Sequence, residues 1–144
     1  MRGLNHSLAI SHGKYQEESN DEDADCIVPV AAAVPQDAKV TPLRTQELVG
    51  IAGKEVTMLT VEYPPGGASA EHRHNAYVFV YVLEGAVVMQ VTGGKEVTLG
   101  PGQTFYESPE DVHTVSRNAS TTKPAKFLAF FVKQEGAPLT VPAK

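Results

Sequence analysis

From Ala38 onward, glycines and prolines divide this chain into segments too short for ordinary helices. The breaks are Pro64-Pro65-Gly66-Gly67, Glu84-Gly85, Gly93-Gly94, Gly100-Pro101-Gly102 and Ser108-Pro109-Glu110-Asp111. Glycine supplies the positive φ of tight turns, and proline can neither continue a helix nor donate to a ladder. Between the breaks lie Lys54–Tyr63, Ser69–His74, Tyr77–Leu83, Ala86–Thr92, Glu96–Leu99, Gln103–Glu107, Val112–Arg117 and Ala125–Lys133. These runs favour strands, and none shows a helical period with caps. Short strands at close spacing predict an all-β sandwich or barrel. Tyr77–Leu83 is nearly all apolar and is expected to be a central strand covered on both sides. Val40 to Leu48, broken by Pro42, is expected to be a lead-in and connector. Glu135–Lys144, with Pro138 and Pro142, is expected to be irregular.

The chain has 144 residues, one domain's worth. Its net charge of −5 is uneven. Residues 1–26 carry Glu17, Glu18, Asp21, Glu22, Asp23 and Asp25 against Arg2 and Lys14, and they lack a hydrophobic period. They are expected to form a disordered or loosely held acidic tail, with residues 27–144 as the β domain. His6 and His12 belong to that tail. Ile27 to Val34, ending near Ala31-Ala32-Ala33, is similar to the end of an export signal, but it is short and follows acids rather than bases. A cytoplasmic location is thus expected over an exported one. There is no basic stripe, so nucleic acid is not an expected partner. No apolar run is long enough for a membrane helix. The single cysteine, Cys26, rules out an intrachain disulfide and a zinc site built on several thiolates.

The chemistry concentrates at Glu71-His72-Arg73-His74. On a strand, residues two apart share a face, so His72 and His74 can hold one metal ion while Glu71 and Arg73 point away. His113, also flanked by β-type residues, can join them if the sheet folds back. Imidazole suits Zn, Fe, Cu and Ni alike. A lone histidine in a β protein is ordinarily a satisfied polar residue; three in this pattern point to a metal. Tyr63, Tyr77, Phe79, Tyr81, Phe105, Phe127, Phe130 and Phe131 are expected to build the core. Tyr77, Phe79, Met89 and Tyr106 are candidates to line a pocket, and Gln90 is expected outward more than inward.

Gly66 to Gly85 and Gly102 to Asn118 resemble the two motifs of the cupin superfamily. Gly66, five residues, His72-Arg73-His74, three residues, Val78, six residues and Gly85 follow the first motif's spacing, with Val78 in the slot of its glutamate. Gly102 to His113 keeps the spacing of the second, although Pro109 and Asn118 each fall one place late and an acid replaces the motif glycine. The resemblance implies a single double-stranded β-helix, or jelly-roll, barrel with His72, His74 and His113 as metal ligands. It also implies a homodimer, for which Ile27 to Thr41 is a candidate edge strand. Val78 cannot bind metal, so a three-histidine centre is expected, as in cupin dioxygenases that cleave β-dicarbonyl compounds. Glu107, six residues before His113, is the candidate catalytic group. It can accept a ligand's ring N–H, replace the missing glutamate or move a proton, or else be a turn or surface acid.

The expected activity is that of a small-molecule dioxygenase cleaving a C–C bond in an enolisable or dicarbonyl-type substrate. Its cofactor would be one divalent transition metal, Fe2+ before Zn2+, Ni2+ or Mn2+. The alternatives are a metal-dependent isomerase or lyase, and a non-catalytic small-ligand-binding protein.

Overall fold

A computed structural model describes residues 38–143, and in these there are only strands, turns and bends. The acidic tail expected at residues 1–26 and the Ile27–Val34 stretch lie outside the described residues. In chain order the strands are β1 (Lys39–Glu47), β2 (Lys54–Tyr63), β3 (Ala68–Ser69), β4 (His72–Arg73), β5 (Tyr77–Glu84) and β6 (Val87–Val91). They continue with β7 (Val97–Leu99), β8 (Thr104–Glu107), β9 (Val112–Asn118), β10 (Ala125–Gln134) and β11 (Val141–Pro142). One antiparallel sheet has the order β1-β2-β10-β5-β8. The other has the order β11-β4-β9-β6-β7, and β3 also pairs with β9. This is the all-β jelly roll expected from the turn spacing.

The inner faces of the sheets form one core. Leu59, Val61 and Tyr63 of β2, Val78, Val80 and Val82 of β5, and Phe127, Ala129 and Phe131 of β10 pack with Val87, Met89 and Leu99. Gly85 ends β5 at φ 68°, and a Cβ there would lie 2.5 Å from the Pro124 carbonyl oxygen and 2.9 Å from Ala125 Cα. Only glycine suits both the turn and that close approach. Asn118, buried at the end of β9, donates to the carbonyls of Pro64 at 3.0 Å and Lys123 at 2.7 Å. Its Oδ1 accepts from the Ser120 amide at 2.9 Å, so one side chain joins three segments.

Four expectations change. Tyr77–Leu83 is not covered on both sides. Val78, Val80 and Val82 point inward, whereas Tyr77, Phe79, Tyr81 and Leu83 are 40–51 % exposed on the outer face. No helix or second layer covers that face among the described residues, so a run apolar on both faces has one face in solvent. The connector after Pro42 is part of β1, which pairs with β2 along almost its whole length. Pro42 is accommodated because β1 is an edge strand and its register shifts between Pro42 and Arg44. Lys39 to Thr41 therefore belongs to this chain's own sheet. The histidine segment is not one strand but the two short strands β3 and β4. Finally, the terminal segment forms β11, which pairs with β4.

Candidate metal centre

The β4–β9 ladder places His72 directly across from His113. His74 follows just beyond β4 and is buried, like His113. One ring nitrogen from each of the three lies within 4.8 Å of the others, which is the convergence expected of the motif. Phe131 packs edge-on against His74 at 5.0 Å, and Phe105 stacks on His113 at 5.9 Å. Such contacts restrict the rings to a few orientations.

Backbone carbonyls set two of the tautomers. His72 Nδ1 lies 2.7 Å from the Ala70 oxygen, and His74 Nδ1 lies 2.7 Å from the Leu139 oxygen. A carbonyl can only accept, so each Nδ1 carries the proton. In neutral rings both Nε2 atoms are then bare lone pairs, and they face each other at 3.0 Å. That approach is unfavourable unless a cation or an extra proton joins them. Burial lowers the His74 pKa, against the opposing charge of Glu107 and the bond to Leu139, so the extra proton is disfavoured there.

Glu107 occupies the same interior. It is 2 % exposed, and in the β5–β8 ladder it sits opposite Val78, the residue in the slot of the motif glutamate. Cross-strand partners have Cβ atoms about 5 Å apart, so the carboxylate is displaced by one strand rather than lost. Its Oε1 lies 3.2 Å from His113 Nδ1 and its Oε2 lies 3.7 Å from His74 Nε2. The alignment is poor, and Glu107 Oε1 and both ring nitrogens of His113 have no hydrogen-bond partner among the described residues. Buried polar atoms without partners are costly. Three imidazoles and a carboxylate with spare lone pairs fit a divalent transition metal, which would satisfy them together.

These groups line one side of a cavity of about 420 Å³ whose other walls include Val61, Val78, Val80, Met89, Phe127 and Ala129. Of the candidate lining residues, Met89 does line it, while Tyr77, Phe79 and Tyr106 stand on the outer face of the sheet. Gln90 instead donates to the Gly94 carbonyl at 2.9 Å and closes the hairpin. Glu71 is exposed and Arg73 is half-buried.

Sequence reasoning missed a polar group in the same cavity. Tyr63 Oη lies 2.6 Å from Ser69 Oγ and 2.7 Å from Ser116 Oγ. Strict alternation would put His113 and Ser116, three residues apart, on opposite faces. A bulge prevents this: Gln90 pairs with Val115 and Val91 with His113, leaving Thr114 unpaired. The extra residue turns both side chains inward. Burial raises the Tyr63 pKa, partly offset by its bonds to the serines, so the phenol stays protonated at neutral pH.

Comparisons agree with this architecture. No curated protein matches the sequence. The DMSP lyase DddQ of Ruegeria pomeroyi aligns with TM-score 0.52 and 21 % identity, over 60 % of this chain and 42 % of that one. The chain thus spans less than half of that enzyme. A cupin domain from Bordetella pertussis aligns with TM-score 0.55 and 20 % identity, over 69 % of this chain and 97 % of that one. A cupin superfamily protein from Desulfitobacterium hafniense gives TM-score 0.54 and 13 % identity, over 71 % and 83 %. At these identities the structures speak for the fold alone. The family model described as "Cupin domain" matches residues 59–131, half of the sequence and the part that carries both motifs. With the jelly roll, the motif glycines and the converging histidines in place, the chain belongs to the cupin superfamily.

Proposed function

We propose that this cupin is a mononuclear metal enzyme, a small-molecule dioxygenase that cleaves a C–C bond of an enolisable or dicarbonyl-type substrate. The observation that carries the reading is the 3.0 Å approach of the His72 and His74 Nε2 atoms with both Nδ1 protons committed to carbonyls. His72, His74 and His113 would hold the metal, with Glu107 beside it. A bound redox-active ion such as Fe2+ would supply Lewis acidity and the electron transfer that directs oxygen onto an enolate. The protein would supply the rest. The carbonyls of Ala70 and Leu139 fix two rings. Glu107 is placed to take the acidic proton of a bound dicarbonyl and so form the enolate. The apolar walls exclude water from that carbanion-like species.

The reading is tested by oxygen uptake after anaerobic loading with Fe2+, using simple β-dicarbonyls. We expect one oxygen consumed per C–C bond broken, and a loss of about 10²–10⁴-fold in Glu107→Gln. No uptake with any dicarbonyl, from protein that has taken up the metal, would contradict it. A metal-dependent lyase or isomerase is the second reading, because the same carboxylate can abstract a proton without oxygen, and DddQ shows that the fold serves a lyase. Substrate consumption without oxygen uptake would favour it.

A further inference from the structure

The hydroxyls of Tyr63, Ser69 and Ser116 own three protons between them, and their contacts within the protein use two. None of the three oxygens makes another hydrogen bond among the described residues. One O–H is therefore left over in a group of which Tyr63 is 1 % exposed, Ser116 is 5 % exposed and Ser69 is half-buried. A buried donor without an acceptor is costly, so this proton is set to meet something within the cavity.

Its position relative to the histidines follows from the ladders. His72 pairs with His113 and Ser69 pairs with Ser116, so the two polar groups lie three residues apart along one strand system. Three residues of extended chain span roughly 10 Å, and the bulge at Thr114 shortens this. All six side chains line the same cavity, whose walls are otherwise mostly apolar. At roughly 30 Å³ per water-sized group, the cavity of about 420 Å³ takes about a dozen non-hydrogen atoms.

Charge narrows the ligand further. Among the described residues no lysine or arginine lines the cavity, and Glu107 is the only carboxylate that does. A divalent ion on three imidazoles beside one carboxylate leaves a single net positive charge. One anionic group on the ligand cancels it; a second anionic group at the hydroxyl end would be buried without a partner. A cationic group at that end has no carboxylate to meet.

We propose that the Tyr63–Ser69–Ser116 hydroxyls are the second anchor of the substrate site. The ligand is then a small monoanion that binds by its carboxylate or enolate at the histidines and by a neutral oxygen acceptor at the hydroxyls, with an apolar body between. This rests on the metal reading above and adds the substrate's far end to it.

The test uses a size-matched pair of probes, para-acetylbenzoate and para-isopropylbenzoate, which differ in whether the far end carries a carbonyl oxygen or a methyl group. The full chain is loaded with Co2+, loading is measured, and probe binding is followed by the change in the cobalt visible spectrum. We expect the acetyl probe to bind about tenfold more tightly, one hydrogen bond's worth. The preference should fall to within about twofold in Tyr63→Phe and in Ser116→Ala, with isopropyl binding unchanged. Equal binding of the two probes to the loaded wild type, binding of neither, or a preference that survives both substitutions would overturn the second anchor. A chain that takes up no cobalt would overturn the metal reading instead. The same pair followed by calorimetry would then still judge the hydroxyls, a lost preference in Tyr63→Phe supporting them and equal affinities overturning them.

Discussion

Among single residues, Lys133 and Glu55 show how a buried charge can serve the site from a distance. Both are buried, and the Lys133 ammonium donates to Glu55 Oε1 and, at 2.8 Å, to the Ala137 carbonyl. The Glu55 carboxylate also lies 3.3 Å from the Gly136 amide. The ion pair thus anchors the turn that leads to Leu139, whose carbonyl orients His74. The hydrogen bond from Lys133 holds the Glu55 pKa below its ordinary 4.5, outweighing the opposing effect of burial. A carboxyl depressed by folding adds stability that is fully present above about 4.5 and is lost as pH falls through the folded value. Urea midpoints between neutral pH and about 3 should therefore fall less steeply in Glu55→Gln than in wild type, from a lower start at neutral pH because Lys133 loses its counter-charge. Parallel pH profiles would show that the pair contributes nothing through ionisation.

At the scale of elements, the terminal segment matters more than its composition suggests. Pro138 and Pro142 argued for irregular chain, yet Val141 and Pro142 pair with Arg73 and His72, and Leu139 packs on the core. A chain ending at Glu135 loses the carbonyl that fixes the His74 tautomer. We expect such a truncation to weaken metal binding about 10–100-fold, measured by competition with a chromophoric chelator, while the barrel still unfolds cooperatively. Unchanged affinity would mean that the carbonyl is dispensable. The same contrast marks what the sequence made legible. Strands bounded by Gly85, Gly93-Gly94 and Gly100-Pro101-Gly102 were readable because the turn residues and the β-forming runs agree. The three histidines were readable because the motif places them two apart and then on one distant strand. The Leu139 carbonyl left no trace, since any residue supplies a carbonyl. Ser116 was hidden by the bulge at Thr114, which breaks the alternation a reader must assume. Glu107 was found by its spacing from His113, but its place opposite Val78 is a matter of register between strands far apart in sequence.

For the whole molecule, the feature without an internal explanation is the outer face of the first sheet. Tyr77, Phe79, Tyr81 and Leu83 of β5 and Tyr106 of β8 are exposed side by side, and Phe79 and Tyr106 are in contact at 5.1 Å between ring centres. None of these five is charged, although the chain as a whole carries −5. Two copies could meet there through a two-fold axis without like-charge repulsion. This face, rather than the edge strand expected from Ile27 to Thr41, is where we place the proposed homodimer. Light scattering on a sizing column should give twice the chain mass for wild type and the single mass for Phe79→Glu. A monomeric wild type would remove the proposal.

The proposed centre is tested most directly by metal content. Untagged protein purified without chelators is assayed by mass spectrometry beside His74→Ala. We expect about one transition-metal ion per chain in the wild type and far less in the variant. Iron would direct attention to the oxygenase, and zinc, nickel or manganese to the lyase or isomerase. A wild type with no metal that takes up none on reconstitution, or equal content in both proteins, would contradict a metal centre at His72, His74 and His113.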